Sequence, residues 1–215
     1  MEAKSLSIIS VREVSKSFKG NVLFDSVSLD IEKGKIYGFV GPNGSGKSVL
    51  FKMICGFIFP DKGTITIRGS EIGKSKRFPE NFGVIIDRPG FIANKNGFEN
   101  LKELSLIRGK INDKQIIQTM QLVGLDPNYT QKAKDYSLGM KQKLAISQAI
   151  MENQEVLILD EPFNALDLDS VKRVRDLLLR FKEEGKTILL TSHNQEDIEI
   201  CDVVYRINSS KLEKV

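Results

Sequence analysis

Cysteine is scarce in this sequence and long apolar runs are missing, and both absences exclude whole classes of protein. Its 215 residues include only Cys55 and Cys201, which lie far apart and outside any metal-ligand spacing. This argues against a disulfide framework and favours a reducing compartment. The longest apolar runs, at 53–59 and 156–159, are far shorter than the roughly 20 residues of a membrane-spanning helix. The first ten residues also lack the apolar segment of a signal peptide, so we expect a cytoplasmic chain.

Charge of one sign is not strongly in excess either. The chain has 32 lysines and arginines against 28 aspartates and glutamates, a formal net charge of +4. A nucleic-acid-binding surface would cluster basic residues on one face, and this mild excess does not predict such a surface. We therefore expect no nucleic-acid partner, and any membrane role must come through another protein.

Short β-rich runs occupy the first and last thirds of the chain. In the first third they are LSIISV at 6–11, VSLDI at 27–31, KIYGFV at 35–40 and TITIRG at 64–69. In the last third they are VLILD at 156–160, TILLTS at 187–192 and VVYRI at 203–207. The continuous aliphatic run VLIL is typical of a strand buried on both faces of a parallel sheet.

Helical patterns lie between these runs. Asn112 with Gln115 three residues later resembles a capping box, and apolar residues then recur at helical spacing until Gly124. A second apolar stripe at 171–181 predicts a helix that ends at Gly185. The summed pattern predicts an α/β fold with a helical insertion between its two halves.

A glycine-rich segment, GPNGSGKS at 41–48, follows the strand run IYGFV and precedes the helical run VLFKMIC. It matches the pattern G-x-x-x-x-G-K-[ST], in which the glycines let backbone N–H groups point at phosphate oxygens. Lys47 would then neutralise the outer phosphates, and the Ser48 hydroxyl would bind Mg²⁺. The residues expected to contact the nucleotide here are Gly41, Pro42, Asn43, Gly44, Ser45, Gly46, Lys47, Ser48 and Val49.

Two acids, Asp160 and Glu161, lie at the end of the run LILDEP at 157–162. The carboxyl end of such a strand is where an open α/β sheet holds its ligands. We expect Asp160 to face the Mg²⁺ ion on Ser48, and Glu161 to polarise the water that attacks the γ-phosphate. Adjacent acids are commonly only a solvated strand end, but the phosphate loop in the same chain favours the catalytic interpretation.

His193 is the only histidine in the sequence, and it follows the strand run TILLTS. Its imidazole could contact the γ-phosphate or orient Glu161. A single histidine is more often structural than catalytic. Its place in the order of motifs is what favours a catalytic role.

The segment YSLGMKQ at 136–142 predicts a second helix start that could bind an anion. Ser137 can cap the helix, Gly139 lets a phosphate approach the backbone, and the helix presents free N–H groups. If two copies meet head to tail, this segment of one copy can close over ATP held by the phosphate loop of the other.

The order of these motifs resembles that of an ABC-type ATPase subunit over nearly the whole chain. The phosphate loop, the serine-glycine helix start, LILDEP, NALD at 164–167 and His193 follow one another as in that family. The resemblance implies a P-loop NTPase sheet core with an N-terminal antiparallel β part and an inserted α-helical subdomain. It also implies ATP and Mg²⁺ as ligands and a homodimer that sandwiches two nucleotides. Membrane-spanning permease subunits would be separate chains, with this subunit on the cytoplasmic face of the membrane.

The resemblance also suggests a division of the chain. We expect one ABC ATPase domain over 1–215, in which 1–90 and 151–215 form the catalytic lobe and about 91–150 form the helical subdomain. Phe18 matches the aromatic position that stacks on adenine.

Two positions depart from the common family pattern. YSLGMKQ lacks the first glycine and the glutamine of LSGGQ, and is similar to the form found in bacitracin- and lantibiotic-type export and self-protection ATPases. PGF followed by ENL at 99–101 fits that group too. Most family members carry glutamine where Asp87 stands in GVIIDRPGF, at a position that contacts Mg²⁺ and senses the membrane subunit. Aspartate is shorter and charged, and could bind Mg²⁺ directly or through water.

Other functions are left open by the motifs. A soluble ABC-type ATPase could act on a partner outside the membrane. A module that binds ATP without hydrolysing it is disfavoured because Glu161 and His193 are both present. A small-molecule kinase would need an acceptor site, and would leave YSLGMKQ and NALD unexplained.

Overall fold

The computed structural model describes residues 7–72, 78–87 and 90–215, and two β-sheets run through that part of the chain. Leu6, the first residue of the predicted run 6–11, lies outside the described residues. So do Arg88 and Pro89, in the segment that carries PGF.

The first sheet is antiparallel and has the strand order β2–β1–β4–β5. Its strands are β1 (Ser7–Phe18), β2 (Asn21–Glu32), β4 (Lys62–Ile67) and β5 (Ser70–Glu71). The predicted run at 27–31 falls in β2, and most of the run at 64–69 falls in β4. β1 and β2 extend well beyond the predicted runs at 6–11 and 27–31. Lys19 and Gly20 join β1 to β2 with φ values of 50 and 83 degrees, and such positive angles suit a tight hairpin turn.

The second sheet has the order β10–β9–β3–β8–β7–β6. Its strands are β3 (Ile36–Val40), β6 (Phe82–Ile85), β7 (Val156–Leu159), β8 (Thr187–Thr191), β9 (Val203–Asn208) and β10 (Lys211–Lys214). All pairs are parallel except β9 with β10. β7 and β8 are buried along their whole length, which confirms the interpretation of VLIL.

Six α-helices connect the strands of the described chain. They are α1 (Lys47–Ile54), α2 (Gly97–Arg108), α3 (Asp113–Leu122), α4 (Leu138–Ile150), α5 (Leu168–Glu183) and α6 (Gln195–Ile198). α2, α3 and α4 lie between β6 and β7, where the helical insertion was predicted. The predicted capping box is confirmed, because Asn112 and Gln115 exchange side-chain and backbone hydrogen bonds at the start of α3. None of these helices is long and apolar enough to cross a membrane.

The parallel sheet separates two hydrophobic cores. Val156 and Ile158 of β7 face the core shared with β1, β2 and α1, whereas Leu157 and Leu159 face the core built with α4 and α5. This is the alternation that a strand with two buried faces requires. α4 packs directly on β6, since a Cβ atom on Gly83 would lie 1.9 Å from the carbonyl oxygen of Ala149.

Candidate functional site

The glycine-rich loop connects the end of β3 to the start of α1, as predicted. Gly41, Gly44 and Gly46 have φ values of 155, 79 and 106 degrees, in a region that L side chains rarely adopt. A Cβ atom on Gly46 would also lie 2.8 Å from the ring of Phe24. Gly46 is the N-cap of α1 and provides no side-chain cap. The first-turn N–H groups of α1 therefore have no capping side chain, which suits an anion.

The other residues of the loop surround this helix start. Ser45 donates its backbone N–H to the Pro42 carbonyl at 3.2 Å. Its Oγ is buried, with no hydrogen-bond partner among the described residues, so a ligand oxygen could supply one. Asn43 is exposed and lines a cavity of about 230 Å³ beside the loop. Val49 is partly buried against the core that contains α1.

Lys47 is held inside the loop and is only 6% exposed. Its Nζ donates to the carbonyl oxygens of Gly41 at 2.8 Å and Pro42 at 3.1 Å. Burial lowers the pKa of Lys47, while the charges of Glu161 and Asp160 act in the opposite direction. The ammonium thus lies inside the loop, and the charges of the two predicted acids act on it.

Thr191, at the end of β8, positions both acids. Its Oγ1 donates to Asp160 Oδ1 at 2.7 Å and accepts the backbone N–H of Glu161 at 2.8 Å. The Asp160 N–H donates to the Ile85 carbonyl on the other side, at 2.8 Å. Glu161 has a φ of 51 degrees, so the chain turns sharply there and directs the two carboxylates differently.

Glu161 lies against His193 and Asn164. The Oε1 atom of Glu161 contacts His193 Nε2, and its Oε2 accepts a hydrogen bond from Asn164 Nδ2. The side chain of His193 is 42% exposed and that of Glu161 is 25% exposed. The structure therefore brings together the predicted base and the histidine expected to orient it.

The predicted metal-binding oxygens line one cavity of about 740 Å³. Ser48, Asp87 and Asp160 share it with Glu161 and with residues of α4. The described residues contain no preformed cluster of three or more acidic, histidine or cysteine ligands. A few hard oxygen donors beside a phosphate loop fit Mg²⁺, which usually keeps several waters and takes phosphate oxygens as ligands.

Asp87 has a partner that the sequence did not predict. Its Oδ2 lies 2.5 Å from Nζ of Lys52, on the last turn of α1. The Asp87 side chain is 58% exposed, so the ion pair is worth little stability. Its effect is to orient the Asp87 carboxylate toward α1, beside the cavity that also holds Ser48.

Ser137 caps α4 as predicted, accepting the Met140 N–H at 3.2 Å. A Cβ atom on Gly139 would lie 2.8 Å from the carbonyl oxygen of Ala165, so α4 closely approaches the NALD segment. Ser137 and Gly139 line a separate cavity of about 530 Å³, together with Asp167. Neither residue lines the cavity of Ser48 and Asp160, although Leu138 between them does.

Gln142, the last residue of YSLGMKQ, connects α4 to the segment that follows β7. Its Nε2 donates to the carbonyl oxygens of Glu161 at 3.2 Å and Pro162 at 2.9 Å. The prediction assigned no role to Gln142 or to Thr191. Both contact residues far along the chain, and the only available signal was their position inside recognised motifs.

Phe18 is the last residue of β1 and is 42% exposed. Lys16 Nζ lies 4.9 Å from the centroid of its ring and also pairs with Asp61 at 2.7 Å. The hairpin that follows Phe18 leads into Val22 and Leu23, which line a cavity with the phosphate loop. An exposed ring at this place is suited to stacking on a base.

Residues 24–164 match the family model described as ABC transporter. This chain belongs to the ABC transporter family. A Bacillus subtilis (strain 168) relative named as the uncharacterized ABC transporter ATP-binding protein YybJ is 42% identical, over 96% of this chain and 95% of YybJ. The family predicted from the order of motifs, and with it an ATP-hydrolysing transporter subunit, is confirmed.

Two further relatives carry more specific names. The bacitracin transport ATP-binding protein BcrA of Enterococcus faecalis is 37% identical over 92% of this chain, a match that spans 65% of BcrA. The lantibiotic transport ATP-binding protein SrtF of Streptococcus pyogenes is 32% identical over 95% of this chain and 89% of SrtF. Both names fall in the group that YSLGMKQ resembles.

Solved structures share the fold. The dimeric post-hydrolysis state of an ATP-binding cassette bound to ADP and Pi has a TM-score of 0.85 at 22% identity, over 96% of this chain and 98% of that chain. An ATP-binding subunit of an ABC transporter has a TM-score of 0.87 at 23% identity, over 97% of this chain and 90% of that one. The predicted α/β fold of ABC ATPase type is confirmed.

Proposed function

We propose that two copies of this subunit enclose two ATP molecules and thereby move separate membrane-spanning subunits. The observation that carries the proposal is the environment of Glu161. Its two carboxylate oxygens contact His193 and Asn164, and it lines the same cavity as Ser48 and Asp160. The site provides a carboxylate, a histidine and metal-binding oxygens at one edge of a parallel sheet. Such groups are suited to positioning a water for in-line attack on a terminal phosphate and to stabilising the charge that develops.

Each residue then has a defined task. Lys47 exchanges its contacts with the loop carbonyls for the outer phosphates, and the glycine-rich backbone cradles them. Glu161 takes a proton from the attacking water, and His193 holds the carboxylate in place. A Mg²⁺ ion bound through Ser48 and Asp160, with Asp87 nearby, would neutralise charge that develops on the phosphates.

The second copy supplies what the first lacks. Ser137 and Gly139 line a cavity that includes no phosphate-loop residue of their own chain, next to the cavity of Ser48 that Leu138 also lines. We propose that this helix start closes over the nucleotide of the other copy, with the loop 164–167 linking the two sites. Residues 1–90 and 151–215 would act as the catalytic lobe, and about 91–150 as the helical subdomain.

The transported compound is proposed from the relatives. BcrA and SrtF are named for bacitracin and lantibiotic transport. We propose export of, or self-protection against, peptide-like compounds, with this subunit on the cytoplasmic face of the membrane. Co-purification from membranes should recover a multi-helix membrane protein as its partner. Recovery of only soluble partners would favour the alternative, an ABC-type ATPase that acts outside the membrane.

A Glu161→Gln variant tests the catalytic assignment. The amide can still accept the hydrogen bond from Asn164 but cannot take a proton, so ATP should stay bound and hold the dimer closed. Light scattering after size exclusion should show a dimer with ATP for this variant. A Lys47→Ala variant, which should lose ATP, is the control and should stay monomeric. A wild-type monomer that hydrolyses ATP at full rate would refute the two-copy site.

A further inference from the structure

Arg175 on α5 lies between the segment that carries Glu161 and the segment that carries His193. Its Nη2 donates to Asp197 Oδ1 at 2.6 Å, and its guanidinium carbon lies 5.8 Å from the centroid of the Phe163 ring. Phe163 belongs to the segment of Glu161, and Asp197 follows His193 on α6. Arg175 thus contacts both segments, although it belongs neither to the phosphate loop nor to the residues predicted to bind a ligand.

Asp197 connects this arginine to the backbone around His193. It is 6% exposed, and its Oδ2 accepts a hydrogen bond from Ser192 Oγ at 2.7 Å. Ser192 Oγ in turn accepts the backbone N–H of Asn194 at 3.0 Å. The residues on both sides of His193 are therefore tied to one buried carboxylate.

Phe163 connects the arginine to Glu161 in the same way. Its ring is 6% exposed, and it lies between Glu161 and Asn164. Asn164 donates its backbone N–H to the Glu161 carbonyl at 3.2 Å and its side-chain amide to the Glu161 carboxylate. A shift of the Phe163 ring would therefore move the donor that orients the base.

Stability alone is a weak reason for this arrangement. A buried ion pair often contributes no more than apolar residues of similar volume would. The Nε atom of Arg175 is also buried without a hydrogen-bond partner among the described residues, which adds a cost. The contacts instead add to the Thr191 hydrogen bonds in fixing the relative position of the segments that carry Glu161 and His193.

We propose that Arg175 and Asp197 are positioning residues that hold His193 against Glu161 for ATP hydrolysis. The inference rests on the proposed function, in which Glu161 is the base. Neither residue lines the cavities beside the phosphate loop, so both should act on the rate of hydrolysis and not on ATP affinity. Misplacement of a catalytic group by about an ångström can cost about a hundredfold in rate.

The kinetic test compares two isosteric substitutions. Asp197→Asn should lower kcat by roughly ten- to a hundredfold and leave the Kd for ATP within about twofold. The matched control is Glu152→Gln, since Glu152 pairs with Arg108 at 2.9 Å and its side chain is 6% exposed, yet neither residue lines the catalytic cavity. The control should lose similar thermal stability and keep its kcat. Arg175→Lys, which retains the charge, should recover part of the rate relative to Arg175→Met.

The only histidine of the sequence makes a second readout possible. In protein without a histidine tag, the imidazole ¹⁵N resonances report His193 alone. Asp197→Asn should move the Nε2 resonance toward its position in Glu161→Gln, and Glu152→Gln should leave it unchanged. Ser192→Ala removes two hydrogen bonds, to Asp197 and from the Asn194 N–H, but no charge. It should move the resonance in the same direction and serves if Asp197→Asn does not fold.

The outcomes separate the two proposals. If Asp197→Asn and Glu152→Gln lose the same fraction of kcat, or if the His193 resonance does not move in the Asp197 and Ser192 variants, the positioning role is refuted. If the wild type fails to hydrolyse ATP even with its membrane partner, the proposed function is refuted. The His193 resonance would still decide whether Asp197 positions that side chain.

Discussion

Replacing Phe18 by alanine should weaken ATP binding and lower the stability of the fold only modestly. Stacking of a base on an aromatic ring is worth about 1–3 kcal/mol, so the Kd for ATP should rise roughly 5- to 150-fold. The ring is 42% exposed and the side chain of its cation–π partner Lys16 is 13% exposed, so their contact is worth about 0.5–2 kcal/mol. The free energy of unfolding should therefore fall by about 2 kcal/mol or less.

Isothermal titration calorimetry with two ligands makes this test specific. Phe18→Ala should bind ATP more weakly but bind inorganic tripolyphosphate as the wild type does, because only ATP carries a base. Lys47→Ala should lose affinity for both ligands. Phe59→Ala is the matched control, since Phe59 is 49% exposed and lies outside the cavities beside the phosphate loop. An ATP affinity within twofold of the wild type in Phe18→Ala would refute adenine stacking at this position.

Three further predictions concern other parts of the molecule. Gly139→Ala places a methyl group 2.8 Å from the Ala165 carbonyl oxygen. Overpacking costs about 1–3 kcal/mol and the gain in helix propensity is up to about 1 kcal/mol, so the variant should be slightly less stable in urea and hydrolyse ATP more slowly. A clear gain in stability would contradict the close contact. Asp87→Gln should change the stimulation of hydrolysis by the membrane partner more than the Kd for ATP, and lost ATP binding with unchanged stimulation would show that the role is misassigned. Burial raises the pKa of Cys55 and Cys201 to about 12, so both thiols should resist Ellman's reagent at about pH 8 until the chain unfolds, and rapid labelling of the native protein would contradict this.

Features made by neighbouring residues could be predicted from the sequence. The capping box at Asn112 joins residues three apart, and the phosphate loop combines glycines, a strand and a helix within one short stretch. The buried run of β7 likewise carries its own pattern. In each case the residues that form the feature also display the pattern, so nothing distant has to be known.

Contacts between distant segments could not be predicted. The pair of Lys52 with Asp87 and the pair of Arg175 with Asp197 depend on how α1, β6, α5 and α6 are arranged, which no periodicity displays. β10 is mostly exposed and its sequence KLEK shows no apolar run, so its strand conformation comes from the edge that β9 offers. The sequence does not predict β6, because Gly83 lies within its short apolar run. Glycine suits this position because α4 leaves no room for a side chain.

Strand connectivity also decides which way the helices point. α1 leaves β3, α5 leaves β7, and α4 returns the chain to the beginning of β7, so all three start at the carboxyl edge of the parallel strands. Each start contributes a partial positive charge of roughly half an elementary charge, and a tally of lysines and arginines does not include it. At the phosphate loop, where α1 has neither a capping side chain nor an acidic residue in its first turn, a polyphosphate would therefore meet a local field that the overall charge of +4 does not include. At the start of α5, Asp167 and Asp169 offset it. That field arises from the order in which the strands are joined.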